Sequence, residues 1–152
     1  MADLVTHVAV ANLLGKSSRD DRTRALFLVG NCLPDVAYKG MLWVLGAPNW
    51  YCEPANSPLA LIPLCFALAL LFEEPWRRRA FGALLLGCWL HLLLDMGKTY
   101  LDHGVILWAF PFSMARVELG WYHPADMTWM FVPSLGLLII TELLARRLGR
   151  PL

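Results

Sequence analysis

The sequence predicts an all-α protein, a multi-pass membrane bundle of about five helices of which the first two are short. Hydrophobic residues make up 58% of the 152 positions and charged residues 16%, and the mean hydropathy is +0.52. This is more apolar side chain than a soluble domain of this length needs for one core. Long apolar runs alternate with connections rich in Trp, Tyr, Pro and Gly, which are typical of the membrane interface. The length allows one domain, over residues 1–152.

The first two helices are expected over residues 4–14 and 22–32. Gly15 follows the first, as glycine often follows a helix C-terminus. The Leu33-Pro34 step should end the second, because a residue before proline avoids the helical region. At about 1.5 Å per residue, each helix would cover roughly half of a bilayer core about 30 Å thick. We therefore expect the two to pair as a partly inserted hairpin.

Three further helices should follow. The third begins at Asn56-Ser57-Pro58, a capping residue with proline in the first turn, and continues to residue 73 with a kink at Pro63. The fourth is expected over residues 75–95 and the fifth over residues 126–147. Each of these two has roughly the 20 residues needed to span a bilayer.

Charge is divided between the two ends of the helices. Alternating the five helices across a membrane places ten of the thirteen Lys and Arg residues on one face. These are Lys16, Arg19, Arg22, Arg24, Arg77, Arg78, Arg79, Arg146, Arg147 and Arg150. The positive-inside rule makes that face cytoplasmic. The opposite face receives all four histidines and seven of the twelve acids, so any chemistry should face the periplasm or exterior. The net charge of +1, with cations spread over helix ends, argues against a nucleic-acid partner.

Four polar residues at the outward face form the candidate site. His91 and Asp95 are spaced i, i+4 on one helical face, and a carboxylate in so apolar a run costs several kcal/mol unless it is paired, hydrated or metal-bound. His7 and Asp35 lie at the same end. Together these nitrogen and oxygen groups would hold zinc or a similar divalent cation with a position open for water. The alternative is that His91 only hydrogen-bonds Asp95 or a backbone carbonyl near the interface.

Three residues after the fourth helix are weaker candidates. Asp102 would serve as a general base or an extra ligand, or would lie in a solvated turn. Lys98 and Arg116 would receive a phosphate or a lipid headgroup, or would be solvated loop charges. Cys32 and Cys52 would form an outward disulfide or remain packed thiols, whereas Cys65 and Cys88 lie in apolar runs and should act as small hydrophobic residues.

A set of motifs resembles a known family. The motifs are Thr6-His7, Gly30-Asn31-Cys32-Leu33-Pro34-Asp35, His91-Leu92-Leu93-Leu94-Asp95, Gly104-Val105-Ile106-Leu107-Trp108 and Pro111-Phe112-Ser113. In this order they are similar to the small inner-membrane metal-dependent hydrolases, which are loosely grouped with zinc-dependent phospholipases C. The resemblance implies a bacterial or archaeal cytoplasmic membrane location and a metal site at His7, Asp35, His91 and Asp95.

The chain departs from that family before the third helix. Such proteins usually carry His-Arg-Gly-x-Thr-His-Ser there, whereas this chain has Cys52-Glu53-Pro54-Ala55-Asn56-Ser57. Asn56 stands in place of the second histidine, and an amide oxygen is a weaker zinc ligand than imidazole. The departure leaves open a different substrate, a different metal or a site that has lost activity.

These observations predict a membrane-bound hydrolase that uses a divalent metal, with zinc favoured. Its substrate would be an ester or phosphoester, and a lipid is plausible because the site lies at headgroup depth. Asp95 and Asp102 would be the catalytic residues, and membrane lipids the expected partners. The alternative is a non-catalytic membrane scaffold or partner-binding protein with a degenerate metal site.

Overall fold

The computed structural model describes residues 2–99, 105–123 and 127–147. Within these ranges the regular structure is helical and no strand occurs, so the predicted all-α class is confirmed for them. The helices are α1 (Ala2–Gly15), α2 (Asp21–Trp43), α3 (Asn49–Cys52), α4 (Pro58–Ala69), α5 (Glu74–Asp95) and α6 (Met127–Arg147), and a 3₁₀ turn (Glu53–Asn56) joins α3 to α4.

Helix α2 is twice as long as the sequence suggested, and the expectation that it ends at residue 32 is wrong. Its N-cap is Asp20, whose carboxylate accepts a hydrogen bond from Thr23 N. The helix continues through Pro34 to Trp43. Proline removes one backbone hydrogen bond, but Pro34 lies on the buried face of α2, and neighbouring helices can compensate for such an interruption. At about 1.5 Å per residue, α2 is about 35 Å long and is no short hairpin arm.

Helices α2 and α5 lie parallel and in close contact. A Cβ atom at Gly30 would overlap the carbonyl of Leu84, and one at Gly87 would overlap the carbonyl of Phe27 and approach Asn31 N. These two glycines therefore allow the backbones to meet directly. The core lies beside this contact, between α4, α5 and the segment after α5. It contains Leu61, Cys65, Leu84, Cys88, Leu92 and Ile106.

The four thiols are free, so the outward disulfide between Cys32 and Cys52 is not formed. Cys65 and Cys88 are fully buried, with their sulfur atoms 3.5 Å apart between α4 and α5. The prediction that these two act as small core residues is confirmed.

Helix α6 packs against α1, and the two run in the same direction. The hydroxyls of Thr6 and Ser134 are 2.9 Å apart near one end. Near the other end, Lys16 donates to the carbonyl of Thr141 at 2.6 Å and lies 3.3 Å from the Glu142 carboxylate. Most of the remaining surface of α6 is apolar and exposed, and Trp129 is an example at 83% exposure.

One helix of the described ranges, over Trp129–Arg147, is long and apolar enough to cross a membrane. The segments Trp50–Asn56 and Pro58–Ala69 would form a second such span only if they are taken together, and they are bent by 68°. Helix α5 does not qualify, because Arg77, Arg78 and Arg79 at one end and Asp95 at the other leave too short an apolar stretch between them.

Candidate metal centre

His7 of α1 and His91 and Asp95 of α5 come together in the interior. The Nε2 atom of His7 lies 3.4 Å from one oxygen of Asp95, and the Nε2 atom of His91 lies 3.4 Å from the other. The two imidazole rings stack at a tilt of 35°, with their centroids 4.3 Å apart. One nitrogen or oxygen from each of the three residues falls within 4.8 Å of the others. We call these residues the His-His-Asp cluster.

The helical repeat accounts for part of this cluster. His91 and Asp95 are one turn apart, so their side chains project from the same face of α5. Gly87 lies one turn before His91, and its missing side chain lets the backbone of α2 approach α5 there. His7 lies on a different helix, and only the packing of α1 near α5 brings it into contact with the pair.

The spacing and chemistry of the cluster suit a divalent cation. Each imidazole Nε2 lies 3.4 Å from a different oxygen of Asp95, a distance close to the roughly 3.3 Å between two ligands bound tetrahedrally to zinc at about 2.05 Å. Two imidazoles and one carboxylate are also the protein ligands of many catalytic zinc sites, in which the fourth position is open. The structure therefore supports the predicted metal site, because the cluster could hold a metal ion, and it does not identify the metal.

Burial of the cluster makes its polar atoms costly unless they are bound to something. The exposed fractions are 1% for His7, 1% for His91 and 4% for Asp95. Neither ring nitrogen of His91 makes a well-aligned hydrogen bond within the described ranges, although its Nε2 atom is close to Asp95. An unpaired polar group in an apolar interior costs roughly 1–3 kcal/mol, so His91 is suited to binding an additional atom.

Asp35 was expected to join the site and lies outside the cluster. Its carboxylate instead accepts a hydrogen bond from Lys39, one turn later on α2, and its side chain is 22% exposed. The i, i+4 spacing of Asp35 and Lys39 is the sequence signal for this ion pair, provided that α2 continues past Pro34. Asn31 lies beside Gly87, and a regular helix continued for one further turn would bring Asp35 about level with His91.

Two further amide side chains are buried with unpartnered atoms. Asn56 lies in the 3₁₀ turn, is 5% exposed, and its Oδ1 atom has no hydrogen-bond partner among the described residues. Asn31 is fully buried on α2, and neither its Oδ1 nor its Nδ2 atom has such a partner. Asn31 was not among the predicted site residues, although it lies one turn before Asp35 in an apolar run.

Three further candidates follow α5 in the sequence. Lys98 is partly buried and pairs through its backbone with Tyr122 in an isolated bridge. Arg116 is exposed in the segment that leads toward α6. Asp102 lies outside the described residues.

No protein-family model, no curated protein and no solved structure matches this chain. The resemblance to inner-membrane hydrolases accordingly depends on the motifs alone.

Proposed function

We propose that this chain is a multi-pass protein of a bacterial or archaeal inner membrane that hydrolyses an ester or phosphoester, with a lipid as substrate. A divalent cation, with zinc favoured, would be held by His7, His91 and Asp95. The observation that carries the proposal is the meeting of two imidazoles and one carboxylate at 3.4 Å spacings in the interior. Such a ligand set leaves one position for a reacting molecule.

The exposed surface supports a membrane location. Large apolar side chains are exposed along α6, including Val132, Ile139 and Ile140, and helix α6 has the length of a span. A soluble monomer rarely exposes so continuous an apolar surface. The arginine-rich ends of α2, α5 and α6 would face the cytoplasm, so that the cluster lies toward the periplasm or exterior.

In this proposal, the cluster binds the cation and other residues act on the substrate. A divalent cation held by His7, His91 and Asp95 would supply Lewis acidity, lowering the pKa of a bound water and polarising a substrate oxygen. Asp95 holds the two Nε2 atoms on either side of one carboxylate, and the surrounding helices exclude bulk water. The general base would be Asp102, as the sequence predicts, with Asp35 as a second candidate that would first have to release Lys39. Lys98 and Arg116 would bind a substrate phosphate.

A second candidate function is a membrane scaffold without catalysis. The ion pair between Asp35 and Lys39 favours it, because it occupies a carboxylate that the resemblance assigns to the metal. Asn56 in place of a histidine also favours a scaffold, because an amide oxygen is a weaker zinc ligand than imidazole. In a scaffold the His-His-Asp cluster would hold α1 against α5 without a cation.

Metal content separates the two functions. The full chain is purified in detergent without added metal or chelating resin, beside His91→Ala and Asp95→Ala, and metals are quantified by plasma mass spectrometry. We expect about one zinc, manganese or iron per chain, lost in both variants, because each variant removes one of three ligands. The matched controls are His123→Ala and Asp21→Ala, which remove an exposed histidine and an exposed carboxylate and should keep the metal.

The same preparations then test hydrolysis. Phospholipid in mixed micelles and bis(p-nitrophenyl) phosphate are the probes, and turnover should stop with a chelator and return with added zinc. Failure to bind metal even after zinc is added back would support the scaffold and overturn the hydrolase. Metal binding without turnover of ester or phosphoester probes would leave a metal-stabilised scaffold and would also overturn the hydrolase.

A further inference from the structure

A groove lies at the opposite end of the bundle from the His-His-Asp cluster. It is formed by the first turns of α2 and α5 and by the connection between α4 and α5, and its lining includes Arg22, Leu26, Leu71, Phe72, Glu73 and Trp76. Its volume of about 440 Å³ is within the range of roughly 300–1,000 Å³ that is typical of small-molecule pockets. Trp76 and His91 are separated along α5 by about 22 Å, so the groove is distinct from the candidate metal centre.

The groove presents one cation and one anion that are not paired with each other. The Arg22 guanidinium lies over the Trp76 ring, 5.8 Å from its centroid, which is within the range of a cation–π contact. Neither the Arg22 guanidinium nor the Glu73 carboxylate makes an ion pair with any residue of the described ranges. Glu73 also makes no side-chain cap for α5. A ligand that carries both charges would be complementary to this pair.

Apolar side chains continue from the charged pair. Leu71 is 80% exposed and Phe72 is 36% exposed, and Leu26 packs partly against the core below them. Helices α2 and α5 both begin at the groove, and the positive ends of their dipoles favour a negative group beside Arg22. The groove therefore combines a site for a phosphate, a carboxylate for a cation and an apolar strip for an alkyl chain.

We propose that this groove binds one phospholipid with a primary ammonium in its headgroup, of the phosphatidylethanolamine class. The phosphate contacts Arg22, the ammonium donates hydrogen bonds to Glu73, and an acyl chain lies along Leu71 and Phe72. A choline headgroup has no N–H donor for Glu73, and Arg22 already covers the Trp76 face that a quaternary ammonium would need. A glycerol headgroup has no cation. The proposal does not depend on the hydrolase.

Native mass spectrometry of the full chain in detergent tests the preference. Phosphatidylethanolamine, phosphatidylcholine and phosphatidylglycerol with identical acyl chains are added at equal concentration. We expect phosphatidylethanolamine to be retained most. Arg22→Gln and Glu73→Gln should each reduce its retention about tenfold, since each removes one charge-assisted contact.

The matched control is Arg24→Gln. Arg24 lies on the same first turns of α2 but pairs with Asp21 and does not line the groove, so its loss should leave retention unchanged. Equal retention of the three lipids would overturn the proposal, as would an Arg24→Gln effect as large as that of Arg22→Gln. A preference for phosphatidylglycerol that increases in Glu73→Gln would also overturn it and would indicate an anionic-lipid site instead.

Discussion

At the level of single residues, the interior contains the polar side chains of His91 and Asn31, which do not contribute to an apolar core. His91 and Asn31 are both fully or almost fully buried, and their side-chain polar atoms make no hydrogen bond within the described ranges. Such groups lower stability unless a ligand, an ion or a water satisfies them. We assign His91 to metal binding because His7 and Asp95 lie beside it, whereas Asn31 belongs to no such group of histidines and carboxylates among the described residues.

Asn31 provides a prediction about stability. Asn31→Leu keeps a similar volume and removes two unsatisfied polar atoms, so we expect it to raise the free energy of unfolding by about 1–3 kcal/mol. Asn31→Asp, which buries a charge in the same shape, should lower it. Denaturant unfolding in detergent, followed by circular dichroism, measures both. A lower stability for Asn31→Leu would mean that the amide has a partner, such as a buried water.

At the scale of helices, close contact between α2 and α5 sets the position of the site. The contact depends on Gly30 and Gly87, because a Cβ at either position would overlap backbone of the opposite helix. It fixes the register in which Asn31 lies beside Gly87. The other neighbour of His91 and Asp95 is His7, which α1 contributes.

Gly87→Ala tests this packing. The added methyl group overlaps the carbonyl of Phe27, so the helices must separate, and we expect a loss of about 1–3 kcal/mol in the free energy of unfolding together with weaker zinc binding. Gly82→Ala is the matched control on the same helix. Its Cβ would meet nothing within 4 Å, so higher helix propensity should stabilise it by up to about 1 kcal/mol. Equal stability of the two variants would contradict the proposed close contact.

At the scale of the whole molecule, the basic and the histidine-bearing ends of the helices are separated. Lys16, Arg22 and Trp76 lie near one end of the bundle, and the His-His-Asp cluster lies toward the other. The exposed surface of α6 between its ends is mostly apolar. This arrangement is what the proposed membrane orientation requires.

The orientation can be tested by labelling introduced cysteines. In a Cys32→Ser background, Ser18→Cys lies in the connection between α1 and α2, and Ser113→Cys lies in the segment after α5. A membrane-impermeant maleimide should label Ser113→Cys in intact spheroplasts and Ser18→Cys only in inverted vesicles, by the positive-inside rule. Labelling of both from the same side would contradict the multi-pass orientation.

The sequence determined the local features of this protein. Apolar runs and capping residues indicated the helices, and the charge pattern predicted a basic end and a histidine-bearing end. The i, i+4 spacing predicted that His91 and Asp95 share a face. These features could be predicted because helix periodicity and capping depend on neighbours within a few residues.

How the helices pack together depends on interhelical contacts that the sequence did not reveal. The tertiary structure brought His7 to the His91 and Asp95 pair, continued α2 through Pro34 and left Asp35 with Lys39 outside the cluster. Packing against α5 outweighed the local tendency of Pro34 to end a helix. The physical reason is that interhelical contacts depend on which side chains are absent, here at Gly30 and Gly87, and on buried surface that no short stretch of sequence specifies.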